Sequence, residues 1–297
     1  MTSRSPLKER IFNRSWQLLR LIIPHIGFII GMTTIVSDRN LHLELLLPTY
    51  LLTAITGLGF TVGYHRLFSH RSFEPVKNLK ICLAILGLMG SHLSIAEYAG
   101  IHRAHHAMSD RFGDPHSPRV GDKGFWRGFW YAHTGWLFDR DLDIKDLTRK
   151  YASDLIKDPL ISRLDRLHVL WFALGLILPA LLGWAVFQSR EGLVTGFVWW
   201  GLVRIFLQDQ IEFCTRAIAH YWGDRDFETK DYSTNHPIAL LSLGEWHNNH
   251  HAFPHSANQG LKPWQFDFNY FLIITLEKLG LVSNVKRVSL QEINKNS

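Results

Sequence analysis

The sequence predicts an all-α integral membrane protein with four transmembrane helices in two hairpins and a helical cap on one side of the membrane. Four long apolar stretches carry this prediction, at residues 16–36, 43–64, 167–187 and 193–213. Each is long enough to cross the hydrocarbon core of a bilayer, which takes about 20 residues. Only short turns separate the stretches within each pair, so each pair predicts a hairpin. We interpret residues 1–297 as a single domain.

The first apolar stretch could be mistaken for a signal peptide, and the fourth contains charged residues. The first stretch lacks the short apolar core and small-residue cleavage site of a signal peptide, so we expect a retained helix. The fourth stretch begins apolar and ends with polar residues that include Asp209 and Glu212. It also contains Arg204, and an unpaired charge is costly inside a membrane. We therefore expect Arg204 to pair with Asp209 or Glu212 or to extend towards the interface.

The distribution of positive charge predicts the orientation. The two outer turns carry one basic residue each, Arg39 and Arg190, whereas nearly all other lysines and arginines lie on the opposite side. The positive-inside rule makes that side cytoplasmic and places there a cap formed by residues 65–166 and 214–297. The net charge of +6 is then explained without nucleic acid, for which the chain has no motif. We expect the apolar stretch 79–100 to be an interfacial helix, since another span would separate the histidine clusters.

Three clusters of histidine predict a metal site. They are HRLFSH with His65 and His70, HRAHH with His102, His105 and His106, and HNNHH with His247, His250 and His251. Because positions i and i+4 share a helix face, the first and last histidines of each HxxHH cluster can bind one metal. The middle histidines, His105 and His250, are rotated about the helix axis by about 100° from the histidine that follows each of them. They can therefore face an adjacent second metal. His65 and His70 converge only if their helix ends, is distorted, or offers each to a different ion.

The number of histidines predicts two metals. Eight imidazoles exceed the four ligands of a structural zinc site. The two cysteines, Cys82 and Cys214, are isolated in sequence and exclude a disulfide framework or a cysteine-based metal motif. Imidazole suits zinc, copper, iron and nickel, so ligand type alone leaves the metal open. A pair of irons that activates dioxygen is the sharper hypothesis.

With these motifs the sequence resembles the membrane fatty acyl desaturases, specifically the Δ9 branch of stearoyl-CoA and cyanobacterial acyl-lipid desaturases. The segments GYHRLFSHRSF (63–73), HRAHHAMSDRFGDPHSP (102–118), AHTGW (132–136) and LGEWHNNHHAFPHSA (243–257) match the pattern of this branch, and the resemblance covers about residues 43–270. It implies two irons bound almost entirely by histidine. It also implies a ninth ligand from an N-x-x-x-H motif, which RAIAH matches with His220. Arg216 replaces the asparagine, which in the family reaches one iron through water.

The resemblance implies an O2-dependent acyl-CoA or acyl-lipid desaturase. Such an enzyme removes two hydrogens from adjacent methylenes of a saturated chain and leaves a cis double bond, here most simply at Δ9, while it consumes O2 and two electrons. The metal ligands and catalytic residues would be His65, His70, His102, His105, His106, His220, His247, His250 and His251, around two Fe ions (Fe2+/Fe3+).

The resemblance also implies partners and a location. A fatty acyl substrate, carried as a CoA thioester or membrane lipid, would enter a narrow apolar tunnel. The chain has no HPGG haem motif, so we expect a separate electron donor of the ferredoxin or cytochrome b5 type. We expect a multi-pass protein surrounded by membrane lipids in a bacterial inner membrane, with its active site on the cytoplasmic side.

Other residues near the motifs suggest supporting roles. Candidate carboxylates for orienting the imidazoles are Glu97, Asp110, Asp114, Asp209, Glu212 and Glu245. Candidate contacts for an anionic headgroup or an acidic electron donor are Arg66, Arg71, Arg103 and Arg111. His116, His133 and His255 lie in the matched segments but outside the ligand boxes, and the tryptophans at 126, 130, 136, 199 and 200 fit an interfacial belt.

Alternative functions differ in how well they fit the motifs. A lipid hydroxylase, alkane monooxygenase or carotenoid ketolase would share the same membrane di-iron architecture, and the extended motif matches favour desaturation over these. A metal transporter would place its histidines within the spans, whereas these lie at span ends and in the cap. A membrane zinc hydrolase would need an HExxH helix, which the chain lacks.

Overall fold

The described part of the chain is mostly helical, as predicted. The computed structural model describes residues 7–38, 43–91, 93–121 and 124–296. The α-helices are α1 (Leu7–Asp38), α2 (Leu43–Leu58), α3 (Lys77–Leu88), α4 (Ile95–Met108), α5 (Gly124–His133), α6 (Ile144–Tyr151), α7 (Ser153–Lys157), α8 (Pro159–Arg166), α9 (His168–Phe187), α10 (Arg190–Thr195), α11 (Arg204–Ile218), α12 (His247–Ala252), α13 (Phe268–Lys278) and α14 (Leu290–Asn296). Two π-helical segments, Gly59–Ser69 and Gly196–Val203, continue α2 and join α10 to α11. Short 3-10 turns occupy Gly135–Phe138 and Pro237–Leu240, and strand β1 (Glu74–Pro75) pairs antiparallel with β2 (Val282–Ser283).

Three helical stretches of the described chain are long and apolar enough to cross a membrane. They are Ser15–Val36, Leu43–Ser69 and His168–Phe187, and they coincide with the first three predicted spans. On α9, apolar side chains such as Ile177, Leu181 and Leu182 are about half exposed, as lipid-facing residues of a membrane protein are.

The fourth predicted span, 193–213, is not among these stretches. Its residues do form one continuous helical run through α10, the π-helical segment Gly196–Val203 and α11, and this run packs against α1, α2 and α9. Its second half is polar, and Arg204 lies within it, so its mean hydropathy stays lower than that of the other three.

Arg204 is buried inside the helical bundle, so its predicted extension towards the interface is wrong, whereas Asp209, one of its predicted partners, does interact with it electrostatically. Its guanidinium donates hydrogen bonds to the carbonyls of Trp200 at 3.1 Å, Gly175 at 2.8 Å and Met89 at 3.2 Å, and to Thr56 Oγ1 at 3.0 Å. Backbone carbonyls therefore compensate this charge, and the side chain fastens α11 to α2 and α9.

The segment 79–100, predicted as one interfacial helix, forms two helices, and its position at a membrane interface stays a prediction. α3 ends at Leu88 and α4 begins at Ile95. Ser94 caps α4 in a capping box with Glu97, and the Asp165 carboxylate accepts hydrogen bonds from the first two N–H groups of the helix, at 2.9 and 3.0 Å. Glu97 is thus a helix cap rather than a partner of a histidine. His92 lies outside the described residues.

The predicted tryptophan belt is only partly realised. Trp126 and Trp130 on α5 are exposed, whereas Trp136, Trp199 and Trp200 are buried in the core.

Small residues allow the central helices to approach closely: a Cβ on Gly59 would lie 2.3 Å from the backbone nitrogen of Gly87. This contact holds α3 directly against the segment that carries the first histidine box.

Candidate metal centre

The three histidine boxes and His220 converge in the interior of the protein. Nine imidazoles form two adjacent groups. The five-histidine group contains His65, His70, His102, His106 and His250, and the four-histidine group contains His105, His220, His247 and His251. In the second group and in four members of the first, the ligand atoms lie within 4.8 Å of one another, and His106 joins the first through Nε2 contacts of 3.1 Å to His102 and 2.7 Å to His250.

A π-helix explains why His65 and His70 share one group. In this winding each N–H bonds to the carbonyl five residues earlier, so residues five apart stack along the axis. The His70 backbone nitrogen bonds to the His65 carbonyl at 3.2 Å. The helix distortion that the spacing HxxxxH required is therefore present.

The two HxxHH boxes use ordinary α-helical spacing. His102 and His106 on α4 face the five-histidine group, while His105 turns to the other group. On α12, His247 and His251 face the four-histidine group, while His250 turns the opposite way. Each helix thus contributes to both groups, which ties the two positions to the same pair of elements.

Acidic side chains hold the outer nitrogens of four of the imidazoles. Asp114 Oδ2 lies 2.9 Å from His105 Nδ1, Asp110 Oδ2 lies 2.8 Å from His220 Nδ1 and Asp231 Oδ2 lies 2.7 Å from His251 Nδ1, and Glu245 contacts His65 Nδ1. The side-chain amide nitrogen of Gln259 lies 3.1 Å from His250 Nδ1. Each carboxylate that accepts a hydrogen bond from Nδ1 leaves the Nε2 lone pair free for the group centre.

Three of these partners were among the predicted carboxylates, and two were missed. Asp110, Asp114 and Glu245 contact histidines, whereas Glu212 forms an ion pair with Arg216 at 2.9 Å. Asp231 and Gln259 lie in loops on either side of the last box, with no motif spacing to mark them. Only the fold brings them to the imidazoles.

Five of the buried imidazoles favour the neutral form, which is the form that binds a metal. Burial and neighbouring imidazoles hold the pKa of His102, His106, His247 and His250 well below its ordinary value. Burial also lowers the pKa of His251 to about 4, although Asp231 opposes the shift. Protons therefore compete weakly for these nitrogens at pH 7.

Asp110 and Asp231 beside the four-histidine group favour the ionised form. Burial opposes this charge, but hydrogen bonds, chiefly from His220 to Asp110 and from His251 to Asp231, outweigh it and hold the pKa of both carboxyls far below the ordinary range. At His105 burial is likewise outweighed, here by Asp114, and the pKa of His105 is raised.

The donor set fits transition-metal ions. Nε2 of His105 and Nε2 of His251 are buried and have no hydrogen-bond partner among the described residues, and both point into the four-histidine group. A buried unpaired acceptor is costly unless something satisfies it. Neutral imidazoles with oriented outer nitrogens are the ligands that iron, zinc and copper accept.

Of the remaining histidines of the matched segments, His116 and His255 contact members of the two groups, whereas His133 contacts Cys214. The His116 ring lies 4.4 Å from that of His105, and together with Asp114 these residues form a third cluster able to hold an ion. His133 Nε2 lies 3.6 Å from Cys214 Sγ, and His255 Nδ1 contacts the His70 carbonyl at 3.1 Å.

Arg66 is fully buried, so its predicted contact with a headgroup or electron donor is wrong. Its guanidinium bonds to Glu245 at 3.0 Å, to Asp267 at 3.0 Å and to the Ala257 carbonyl at 2.6 Å. Because Glu245 also contacts His65, Arg66 links the first histidine box to the loops around the last one.

An apolar cavity of about 450 Å³ extends from the long apolar helices to the histidines. It is bounded by His65, His102 and His247 at the histidine groups and by Leu46, Tyr50 and Trp199 at its other end. Between these ends α2 contributes Thr49, Thr53, Ala54 and Gly57, and α11 contributes Leu207, Gln208, Ile211, Glu212, Thr215 and Arg216. At 1.5 Å per residue, the wall from Leu46 to Thr61 spans roughly 20 Å.

Arg216, at the position where the family has asparagine, lies in the wall of this cavity. It is 9 % exposed, forms its ion pair with Glu212, and places its guanidinium 5.3 Å from the Trp136 ring centre. Arg216 therefore places a paired, buried charge in the wall of the cavity that His65, His102 and His247 also line.

Comparison with known proteins places the chain in a family. The sequence model of the fatty acid desaturase family matches residues 43–267. The chain is 40 % identical to hex-5-enoyl-[acyl-carrier protein] acetylenase of Moorena producens (strain JHB), over 91 % of this chain and 85 % of that protein. It is 37 % identical to sn-1 stearoyl-lipid 9-desaturase of Anabaena variabilis, over 77 % and 79 %, and 30 % identical to Delta-9 acyl-lipid desaturase 1 of Arabidopsis thaliana, over 94 % and 87 %. The chain therefore belongs to the fatty acid desaturase family.

Proposed function

We propose that this protein inserts a cis double bond at the Δ9 position of a saturated acyl chain, with O2 and two electrons, at two irons bound by the nine histidines. One observation carries the proposal. The apolar cavity meets His65 and His102 of the five-histidine group and His247 of the four-histidine group. An acyl chain in this cavity would expose its methylenes to both metal positions at once.

The protein's own residues would select the reacting carbons. Irons, when bound, would activate O2, the oxidant of the reaction, for attack on unactivated C–H bonds, which side-chain acids and bases cannot attack. The cavity walls on α2 and α11 would fix how deep the chain enters, and thereby which methylenes lie beside the metals. Asp110, Asp114 and Glu245 would hold the imidazoles in place during turnover.

The membrane arrangement is part of the proposal. The helical run through α10 and α11 would be a fourth span that pairs with α9 across the short turn at 188–189. Residues 65–166 and 214–297 would then form a cytoplasmic cap of one domain, on the inner membrane of a bacterium. A separate protein of the ferredoxin or cytochrome b5 type would deliver the electrons.

The acyl carrier has to be tested directly, because the names of the relatives differ. They specify an acyl-carrier protein, a lipid and, in Acyl-CoA C20 Delta5-desaturase of Anemone leveillei at 34 % identity, CoA. Assays with a stearoyl group on each of the three carriers, in the presence of the reconstituted donor, would show which one is consumed.

The proposed reaction is tested in cells that make no unsaturated fatty acids. Expression of the protein should restore growth, and mass spectrometry should locate a cis double bond at C9. Hydroxylated acids instead of alkenes would favour a lipid hydroxylase and refute desaturation. The His247→Ala variant should lose both iron and product, and its retention of full activity would contradict the ligand assignment.

A further inference from the structure

The two histidine groups have unequal acidic surroundings. In the four-histidine group, three of four outer nitrogens contact aspartates: Asp114, Asp110 and Asp231. In the five-histidine group, Glu245 is the one carboxylate that contacts an imidazole of the described residues, and Gln259 supplies a neutral amide. The four-histidine group has more carboxylates although it has fewer imidazoles. The difference in charge is therefore not a consequence of ligand number.

The charge of Glu245 is also offset by a neighbour. Arg66, fully buried, bonds to Glu245 at 3.0 Å. In the described part of the chain, no lysine or arginine side chain forms an ion pair with Asp110, Asp114 or Asp231. These three side chains are 9 % exposed or less. The negative charge around the four-histidine position is therefore both larger and less compensated.

We propose that Asp110, Asp114 and Asp231 are positioning residues that make the ion in the four-histidine group the first to lose an electron. Negative charge held a few ångströms from an ion favours its higher charge state, and the effect is strong where water is excluded. A carboxylate on the outer nitrogen also makes the imidazole a stronger donor. Imidazole is neutral, so the extra histidine of the other group does not offset this. The inference rests on the proposed di-iron function.

A redox titration of the iron-loaded protein tests the order. Protein loaded anaerobically with two ⁵⁷Fe²⁺ is oxidised in steps by a mediator, each step passing one electron from one ion to the mediator, and Mössbauer spectra count ferrous and ferric ions. The wild type should show two separate midpoints. Asp231→Asn keeps the size of the side chain and its acceptor for His251. It should raise the first midpoint potential by about 59 mV, which for one electron is a tenfold change in equilibrium constant. The second midpoint potential should stay nearly unchanged.

The opposite change should act on the other midpoint. Gln259→Glu adds a carboxylate at His250 and should lower the second midpoint potential. Asp231→Asn and Gln259→Glu should therefore each reduce the difference between the two midpoint potentials. Asp226→Asn is the matched control, since it removes the same charge from the same loop as Asp231 but contacts Lys262, Asn235 and Gln265 rather than a histidine. It should leave the separation unchanged. Asp110→Asn repeats the test should Asp231→Asn bind less than two irons.

The result is distinguishable from failure of the proposed function. Variants that widen the separation, or an Asp231→Asn that moves only the second midpoint, would overturn the inference even in an active desaturase. The expected shifts in a protein that yields no double bonds would support the inference and refute the function. A wild type that binds fewer than two irons would refute both the di-iron centre and the inference.

Discussion

Replacement of Arg66 by methionine tests whether the buried ion pairs beside the first histidine box stabilise the protein. Arg66 is completely buried and bonds to the carboxylates of Glu245 and Asp267 and to the carbonyls of Gly244 and Ala257. Methionine fills similar space but leaves both carboxylates without their cation. The negative charge of Glu245, which contacts His65, would then also lack its compensating cation.

The magnitude follows from burial. Removal of one partner from a buried ion pair costs about 3–5 kcal/mol, because the other charge stays desolvated. Arg71 provides a matched control, five residues along, since it bonds to Asp154 at 2.6 Å but its side chain is 64 % exposed. An exposed pair of this kind contributes less than about 1 kcal/mol. Arg66→Met should therefore lower the free energy of unfolding by roughly 3 kcal/mol more than Arg71→Met does.

Denaturant titration of both variants in the same detergent, followed by tryptophan fluorescence, measures this difference. Iron content per chain gives a second readout, which should fall in Arg66→Met and stay at the wild-type level in Arg71→Met. Equal destabilisation within about 1 kcal/mol would show that the buried cluster does not hold the cap in place, and would refute the reasoning.

Three further predictions concern the cavity, the cap and the last histidine box. Thr53→Phe places a ring in the cavity wall and should reduce activity on long acyl chains on the order of 10²-fold, with a smaller loss on short chains, as chain-length profiles of products would show. Asn249→Ala should cost at least about 2 kcal/mol of unfolding free energy, because Asn249 is buried and bonds to Asn235, Gln259 and Gln265 at 2.6–2.7 Å. Burial would raise the pKa of Asp154, but hydrogen bonds from Arg103 and Arg71 outweigh it and lower this pKa to about 2. The stabilising contribution of Asp154 should therefore be complete above about pH 4 and disappear as the pH falls to about 2. The free energies of unfolding of Asp154→Asn and the wild type, measured from about pH 2 to 6, should converge as the pH falls from about 4 to 2.

Each of these predictions has a contrary outcome. Ile55→Phe adds the same ring on the exposed face of α2, so a loss equal to that of Thr53→Phe would exclude an effect through the cavity. An Asn249→Ala variant as stable as the wild type would show that water replaces the lost bonds. A stability difference at Asp154 that grows on acidification would contradict the lowered pKa.

The helical class and three apolar spans were predictable because long hydrophobic runs and polar turns are local properties of the sequence. Arg204 shows where this reasoning fails. Its position in an apolar run suggested a carboxylate partner nearby in sequence, and Asp209 does act on it electrostatically, but its hydrogen bonds go to carbonyls of Gly175 and Met89 and to Thr56 on other elements, which nothing in the sequence indicated. Tertiary contacts of this kind leave no periodic signal. The break at Ser94 had a readable signal, the S-x-x-E capping box, which the apolar character of 79–100 obscured.

The site shows the same division between spacing and fold. The interval of four in HxxHH predicts which imidazoles share a face, because an α-helix sets that geometry alone. The partners on the outer nitrogens were predictable only where they lie close to a box in sequence, as Asp110 and Asp114 follow His106. Asp231 reaches His251 from a loop twenty residues away.

The spacing of the boxes and the type of helix are two expressions of one constraint. An interval of four is about one turn of an α-helix, and an interval of five is one step of the π-helical hydrogen-bond pattern. His65 and His70 reach the same group from the π-helical segment Gly59–Ser69 and its C-cap, and the close packing of Gly59 and Gly63 on α3 holds this segment in place. Since π-helical hydrogen bonds are less favourable than α-helical ones, the surrounding contacts must stabilise this winding. Arg66, one residue after His65 and bonded to the loops around α12, provides such a contact from the opposite side. The first box is thus positioned by residues that bind no metal, and its geometry depends on the fold that the last box helps to complete.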